Sequence, residues 1–464
     1  MDESMTTVSH KLKNAFQGAL AGGGDPATSP LYVFGPFIKM IVVAGVAEVT
    51  FGSSIWLVIF TIAAASTVYR FVMRWITDGS GGSGMSEEEF GTWAVKIDAA
   101  ITFIEYTLTF LVSMSALVTF IADRFPVLKT LFLGFQLRVY IAILLSILIG
   151  WLVNRGSKMA AVVFGPATAA VLLLLWLLIF ETIYKTGFHL PALTIQAFIP
   201  PFLKYTLKGY VRILAVMTGI EVFANLVPAF DGTDKEKSHK AFNSLLIIMI
   251  TTAFTMLILG PAIFSFSDPT FSEVSLFTQT MDILLPKPLA YIGSLIGIFV
   301  LMSACAASAQ GLQGLSLGLT NRGYVPPSFG AQNRFEVADK PVWLQIMVVS
   351  FCFLFIGTHE EVYLGLYAAG VFVILSLTGW AVTKRLIRGT RNGFSIKKAL
   401  IITATSISAI LTSGATIIIF LERFFEGAWL YFVLVPIIFL ILTYFYNRRK
   451  PFIKINEINQ PSIL

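Results

Sequence analysis

The sequence predicts an all-α membrane protein with twelve transmembrane helices, of which the first and the sixth are broken. Of its 464 residues, 56% are hydrophobic and only 13% are charged, whereas soluble domains carry about 25% charged residues. Apolar segments of roughly 20 residues, the length that crosses a bilayer, recur along the whole chain. Two of these segments are interrupted by glycine, proline and acidic residues.

Twelve apolar segments are the candidate helices. Their predicted ranges are 14–46, 53–75, 94–121, 136–153, 158–184, 207–229, 241–266, 288–318, 342–357, 361–384, 397–421 and 427–446. The eighth segment is long enough to extend beyond the bilayer. Short tails, 1–13 and 447–464, flank this transmembrane domain of residues 14–446.

Basic residues are distributed unevenly between the two sets of loops. One set, which includes both tails, carries most of the Lys and Arg residues, such as Arg70 and Arg74, while the other mixes a few cations with acids such as Asp123 and Glu360. Because Lys and Arg of short loops stay in the cytoplasm, we expect both termini to be cytoplasmic. The basic residues behind the net charge of +7 are therefore interpreted as topology signals and not as a nucleic-acid-binding surface. We expect a multi-pass protein of the cell membrane, with the lipid bilayer as its partner.

The first segment contains a stretch that cannot form a regular helix. Residues 22–30 read GGGDPATSP, and glycine weakens a helix while proline removes a backbone donor and clashes with the preceding turn. Non-helical backbone at membrane depth is tolerated only where it lines a protein cavity. The sequence therefore predicts a discontinuous first helix around Asp25.

The sixth segment carries a matching irregularity. Residues 218–228 contain a glycine, an intramembrane Glu221, Asn225 and a closing proline. Interrupted helices at corresponding positions of two halves indicate a transporter binding site. Helices one and six stand five apart, as expected for two five-helix inverted repeats followed by two further helices. The alternative interpretation is that each break is a simple kink.

Three carboxyl groups lie well inside apolar segments, namely those of Asp25, Glu105 and Glu221. An acid at the bilayer centre costs at least ~2.5 kcal/mol and is by default a functional hypothesis. Glu105 is followed at spacings of four by Thr109 and Ser113, and residues i and i+4 share a helix face. This stripe indicates a polar site, although Ser and Thr also serve contacts between membrane helices.

Carboxylate, hydroxyl and carbonyl oxygens around a broken helix suit a hard cation. Burial also disfavours the charged form of a carboxyl group, so that such a site can bind a proton. A carrier of amino acids would keep its helix N-terminus free for the substrate carboxylate. The acid of Asp25 in the first break would repel that group.

Several of these motifs resemble known transporters. Residues 24–32, GDPATSPLY, resemble the GDxGTSPLY signature of Kup-type potassium transporters. The glycine-rich loop 78–84 and residues 105–109, 218–225 and 366–372 resemble permeases of the APC superfamily, especially KimA-type potassium–proton symporters. The resemblance covers most of the membrane part and implies a LeuT/APC-type 5+5 inverted repeat.

The resemblance also implies an ion site. The acid on the third helix is usually Asp in the KimA-type pattern, whereas this chain has Glu105. Glu221 is the implied residue of proton coupling, together with Glu105. The implied cation-binding residues, of which all but the last hold potassium, are Asp25, Tyr32, Glu105, Thr109, Ser113 and Tyr367.

We therefore expect secondary active uptake of potassium with protons by alternating access. The alternatives are a proton- or sodium-coupled amino acid or amine permease, a channel, and a non-transporting sensor. No nucleophile–His–acid set, metal cluster or phosphate loop is apparent in the sequence, so enzymatic activity is not expected. The expected ligands are the transported potassium ion and proton, without a further cofactor. The oligomeric state is left open, with a homodimer as one option.

Overall fold

The structure is a computed structural model that describes residues 11–270, 274–389 and 395–459. Of the predicted tails, residues 1–10 and 460–464 lie outside the described residues. Residues 447–459 continue the last helix rather than forming a separate segment.

Helices account for most of the described chain. Two short strands, β1 (Leu131–Phe132) and β2 (Phe135–Gln136), form one antiparallel hairpin. The α-helices are α1 (Ala15–Gly22), α2 (Pro30–Val43), α3 (Ala47–Trp75), α4 (Gly81–Phe90), α5 (Thr92–Arg124), α6 (Leu137–Val153), α7 (Ser157–Thr186), α8 (Phe202–Ile213), α9 (Ile220–Asn225), α10 (Asp234–Phe254), α11 (Gly260–Phe266), α12 (Leu276–Leu284), α13 (Lys287–Asn321), α14 (Asp339–Phe355), α15 (Glu360–Gly389), α16 (Ile396–Arg423) and α17 (Tyr431–Asn459).

Each of the twelve predicted segments contains helix. In the described part of the chain, eight helical spans are long and apolar enough to cross a membrane, and α2 and α6 are shorter apolar helices. Large apolar side chains such as Leu173, Leu144 and Leu421 are exposed on the outside of these helices, as expected where lipid surrounds the protein. The chain is thus an all-helical, multi-pass membrane protein. The total of twelve crossings and the 5+5 inverted repeat remain predictions.

The structure breaks the first and sixth segments where the sequence predicts it. Helix α1 ends at Gly22, and residues 24–29 form turns before α2 begins at Pro30. In the sixth segment, α8 passes into a 3-10 turn, Leu214–Met217, and α9 begins only at Ile220. Both irregular stretches therefore lie inside segments that are otherwise helical.

The two breaks pack directly against each other. Gly219 has a φ of +81°, and a Cβ atom placed on it would lie 2.7 Å from Cδ of Pro26. The Ser29 hydroxyl lies 3.2 Å from the Thr218 hydroxyl. Because only glycine combines this backbone conformation with so close an approach, Gly219 lets the two unwound segments meet.

The structure also corrects one prediction. The sequence predicts a loop over residues 78–84, whereas α4 begins at Gly81, and the φ angles of Gly79 before it and of Gly81 itself are positive. The C-terminal half of α4 carries three consecutive acids that are tied to the ends of α13 and α15. The ion pairs are Glu87 with Arg322 at 2.8 Å, Glu88 with Arg385 at 2.6 Å, and Glu89 with Arg388.

We predict that Gly219→Ala destabilises the protein by at least about 1 kcal/mol, because alanine is strained at positive φ and its methyl group would collide with Pro26. Gly414→Ala is the matched control. Gly414 lies inside α16 with nothing within 4 Å of an added Cβ, so alanine should be neutral or stabilising there. The melting temperatures of the two detergent-purified variants and of the parent measure both changes in stability. An unchanged melting temperature for Gly219→Ala would contradict this account of the packing.

Candidate ion site at the two helix breaks

Asp25 lies at the centre of the first break and is buried, with 9% of its surface exposed. One carboxylate oxygen, Oδ2, accepts a hydrogen bond of 3.2 Å from the Tyr367 hydroxyl on α15. The other oxygen, Oδ1, is buried and has no hydrogen-bond partner among the described residues. The unwound backbone is held locally, because the Thr28 hydroxyl donates to the Asp25 carbonyl at 2.7 Å. An acid is thus fixed in a dry site with one unsatisfied oxygen.

Tyr32 lies in the first turn of α2 and is also buried. Its hydroxyl lies 3.2 Å from the Ser29 hydroxyl, which in turn lies 3.2 Å from that of Thr218. Three hydroxyl groups therefore form a line from the first break to the sixth. Sequence reasoning assigned no role to Ser29 and Thr218, although both lie within the motifs that predicted the breaks.

Helix α5 brings its polar stripe to the same region. The carboxyl group of Glu105, partly buried, interacts electrostatically with that of Asp25. Thr109 is buried, donates to the Glu105 carbonyl at 2.9 Å and lies near the Tyr367 hydroxyl. Ser113 lies one turn further along the helix, with a buried hydroxyl that has no partner among the described residues. The structure therefore brings Asp25, Glu105, Thr109 and Tyr367 together, while Ser113 continues the stripe beyond them.

Tyr431 is a neighbour that sequence reasoning missed. It comes from α17, is buried, and interacts electrostatically with Glu105, while its hydroxyl has no partner among the described residues. This close approach requires a glycine, because a Cβ on Gly370 would lie 2.5 Å from the tyrosine hydroxyl. The glycine in the motif of residues 366–372 was the available signal, but its partner is distant in sequence.

Glu221 occupies a different place from the other predicted site residues. It lies in the first turn of α9 and faces α4, with Oε1 3.2 Å from the position of a Cβ on Gly82. It makes no hydrogen bond to Asp25 in the described structure. It interacts electrostatically with Glu105 and with Asp98, both on α5. The predicted proton-coupling acid is therefore adjacent to the stripe on α5 rather than part of the Asp25 site.

A cavity of about 420 Å³ reaches the site from the end of the bundle that holds the loop before α15. Tyr32 and Thr119 line it, and its rim is charged. Thr119 donates to Glu360 at 3.0 Å, and Arg138 Nη2 lies 2.6 Å from His359 Nε2. The cavity thus leads from a charged rim to the tyrosine beside the first break.

The donors around Asp25 are oxygen atoms of carboxylate and hydroxyl groups. Among the described residues, no group of three or more His, Cys, Asp and Glu side chains is close enough together to hold a metal ion. Oxygen donors of this kind match a hard cation, and potassium in particular is bound by oxygen atoms that replace its water. The arrangement can therefore hold a dehydrated monovalent cation between the two breaks.

Comparison with known proteins yields one curated relative and several structural matches. No protein family model matches the chain. The chain is 25% identical over 421 residues to the potassium transporter KimA of Bacillus subtilis (strain 168). The aligned region covers 87% of this chain and 66% of that protein, so this chain spans slightly less than two thirds of the relative's length.

Solved structures of a manganese transporter from Eremococcus coleocola share the fold. A complex with an aromatic bis-isothiourea substituted compound matches with a TM-score of 0.50 and 12% identity, covering 96% of this chain and 98% of that one. A histidine-to-alanine mutant of the transporter matches with a TM-score of 0.51 and 13% identity, covering 93% of both chains. At these identities the likeness shows a membrane transporter fold. The narrower assignment to the APC superfamily remains a prediction.

We predict that protonation of His359 at the charged rim of the cavity lowers the stability of the protein at acidic pH. Burial and the Arg138 guanidinium hold the pKa of His359 below its ordinary value of 6.5, so the neutral ring is favoured in the folded protein. The resulting stability is present above about pH 6.5 and is lost as the pH falls through the lower folded pKa. The melting temperature should therefore fall modestly below pH 6.5, and His359→Gln should flatten that slope. His189→Gln, in another exposed loop, is the control. Equal slopes for both variants and the parent would contradict this role.

Proposed function

We propose that this chain imports potassium ions together with protons by alternating access in the cell membrane, with both termini in the cytoplasm. The likeness to a potassium transporter supports the substrate, and the transporter fold supports the mechanism. Because the chain spans only 66% of that relative, the proposal concerns the membrane part that the two share.

The observation that carries the proposal is the unsatisfied oxygen of Asp25. A buried charge without a partner is strongly unfavourable, yet Oδ1 has no hydrogen-bond partner in the described structure. A monovalent cation beside it would satisfy this oxygen and neutralise the carboxylate. The hydroxyls of Tyr32, Thr109 and Tyr367 would complete an oxygen shell, with Glu105 and Ser113 on the adjoining face of α5.

The cavity of about 420 Å³ supplies the route by which a cation reaches the site. In the predicted orientation its rim faces the outside of the cell, because Asp123 and Glu360 belong to the loops with few cations. The polar rim can replace part of the ion's hydration before the ion reaches Tyr32. The opposite end, where the ion pairs of α4 lie, would open in the alternate state.

Alternating access requires elements that can rock against their neighbours. The two breaks contact each other through Pro26 and Gly219 and through Ser29 and Thr218. Cation binding at Asp25 would change the contacts of the first break and, through them, those of the sixth. Glu221 and Glu105 would then couple the cycle to a proton, because each is an acid inside the membrane that interacts with another acid.

We predict that Asp25→Asn and Glu105→Gln each abolish potassium uptake, because each removes a charge that offsets the charge of the bound cation. The measurements are growth rescue of a potassium-uptake-deficient bacterium at low potassium and rubidium uptake into liposomes that contain the purified protein. Asp231→Asn and Glu48→Gln are matched controls, because both side chains are exposed. Normal uptake by purified Asp25→Asn would refute the assignment.

We also predict that Tyr367→Phe weakens the site without abolishing it, because phenylalanine cannot donate to Asp25. A hydrogen bond to a charged group contributes about 1.5–3 kcal/mol, so the half-saturating rubidium concentration should rise roughly tenfold or more. Tyr210→Phe is the control, since it loses a buried hydrogen bond of 2.8 Å to Thr61 elsewhere in the bundle. Equal half-saturation in the two variants would show that the Tyr367 hydroxyl does not act on the ion site.

A further inference from the structure

A second buried polar cluster lies where α4 meets α3, α9 and α15. Its centre is the bare backbone of Gly82. Three oxygen atoms converge on the place where a Cβ of this residue would stand: Thr378 Oγ1 at 2.6 Å, Glu221 Oε1 at 3.2 Å and the Tyr69 hydroxyl at 3.3 Å. Tyr69 and Thr378 are almost completely buried, and neither hydroxyl has a partner in the described structure. Two donors and one acid thus face a common point.

Asp98 on α5 adds a second acid to this cluster. It is 1% exposed, and neither of its carboxylate oxygens has a hydrogen-bond partner in the part of the chain that the structure describes. Ser83, the residue after the bare glycine, lies near both Asp98 and Glu221. The two acids interact electrostatically, so α4 brings them together from α5 and α9.

The groups that surround this pair are acids and tyrosines. Among the described residues, the titratable groups that interact with Asp98 or Glu221 are each other, Glu105, Tyr69 and Tyr106. A buried carboxylate without a partner costs several kcal/mol, and two carboxylates in one buried site cannot both ionise easily. One negative charge, supported by the hydroxyls of Tyr69 and Thr378, is therefore the most that the cluster can hold.

We propose that Asp98 and Glu221 form a binding site for one proton, in which one acid carries the proton and the other is the carboxylate that Tyr69 and Thr378 stabilise. The inference deepens the proposed proton coupling and rests on it. Binding forms one O–H bond on a carboxylate oxygen, and release returns the proton to water. Asp98 is thereby assigned a proton-binding role beside Glu221, away from the oxygens that face the cation.

A polar residue connects this site to the end of α4. Asn225, in the last turn of α9, places Oδ1 2.2 Å from where a Cβ of Gly81 would stand, and this oxygen also lacks a partner in the described structure. The polar groups therefore continue from Glu221 towards the turn at residues 78–80. A proton released from the pair would meet water at this end once α4 moves.

The test is infrared difference spectroscopy on the purified 464-residue chain, because the infrared spectrum separates protonated carboxyl groups from carboxylates. The parent should show the band of a protonated carboxyl at neutral pH. Asp98→Asn and Glu221→Gln should each remove the component of the band that belongs to the pair, because loss of one acid lets the other ionise, while any contribution of Asp25 and Glu105 remains. Tyr69→Phe should shift the band without removing it, and this variant keeps the test valid if Glu221→Gln fails to fold. Asp231→Asn, at an exposed position, should leave it unchanged.

Two outcomes would overturn the proposal. A band that is identical in the parent and in Asp98→Asn would show that this pair holds no proton. A band that disappears on replacing N-methylglucamine chloride with potassium chloride at constant pH, both in the parent and in Asp25→Asn, would show that the pair binds the cation instead. The infrared bands report protonation whether or not the protein transports an ion. A parent with the expected band but no rubidium uptake would therefore refute the proposed uptake while leaving the proton site standing.

Discussion

The contact between the two unwound segments is the constraint on which the rest of the structure depends. Pro26 packs on the bare backbone of Gly219, and the hydroxyls of Ser29 and Thr218 meet beside it. Non-helical backbone at membrane depth is tolerated only where protein surrounds it, and here each unwound stretch covers part of the other. The same contact places Asp25 away from water and next to α5 and α15. The packing that buries the two breaks thereby also forms a dry pocket that contains the carboxyl group of Asp25.

The acids inside the bundle occupy two adjoining places with different surroundings. Asp25 is hydrogen-bonded by Tyr367 and lies at the end of a cavity that reaches Tyr32. Asp98 and Glu221 lie on the α4 side, surrounded by hydroxyls and glycine backbone. Glu105 interacts with acids of both places. A change of charge at one place therefore alters the electrostatic environment of the other through Glu105.

The sequence predicts the features that depend on local chemistry. Glycine and proline locate the first break at residues 22–30, and the spacing of Glu105 and Thr109 predicts a stripe that does reach Asp25. The sequence does not predict that α4 is a helix, because the glycine-rich start of α4 resembles a loop. The residues of α4 are buried by packing against distant segments, which the local sequence does not show. Tyr431 was missed for a similar reason. Its segment reads as an ordinary apolar helix, and only tertiary packing brings the hydroxyl to Gly370. The spacing of residues within one segment does not show which distant residue a side chain will contact.

The three ion pairs of α4 differ in a way that affects how firmly this helix is held. The side chains of the Glu87 and Glu88 pairs are between 31% and 53% exposed, whereas the side chain of Glu89 is 1% exposed beneath Arg388. Dissolved salt screens exposed charges over about 8 Å at physiological ionic strength and buried ones much less. Two of the three pairs therefore weaken as salt accumulates, while the third persists. Dissolved salt at this end of the protein therefore weakens the ionic attachment of α4 without removing it.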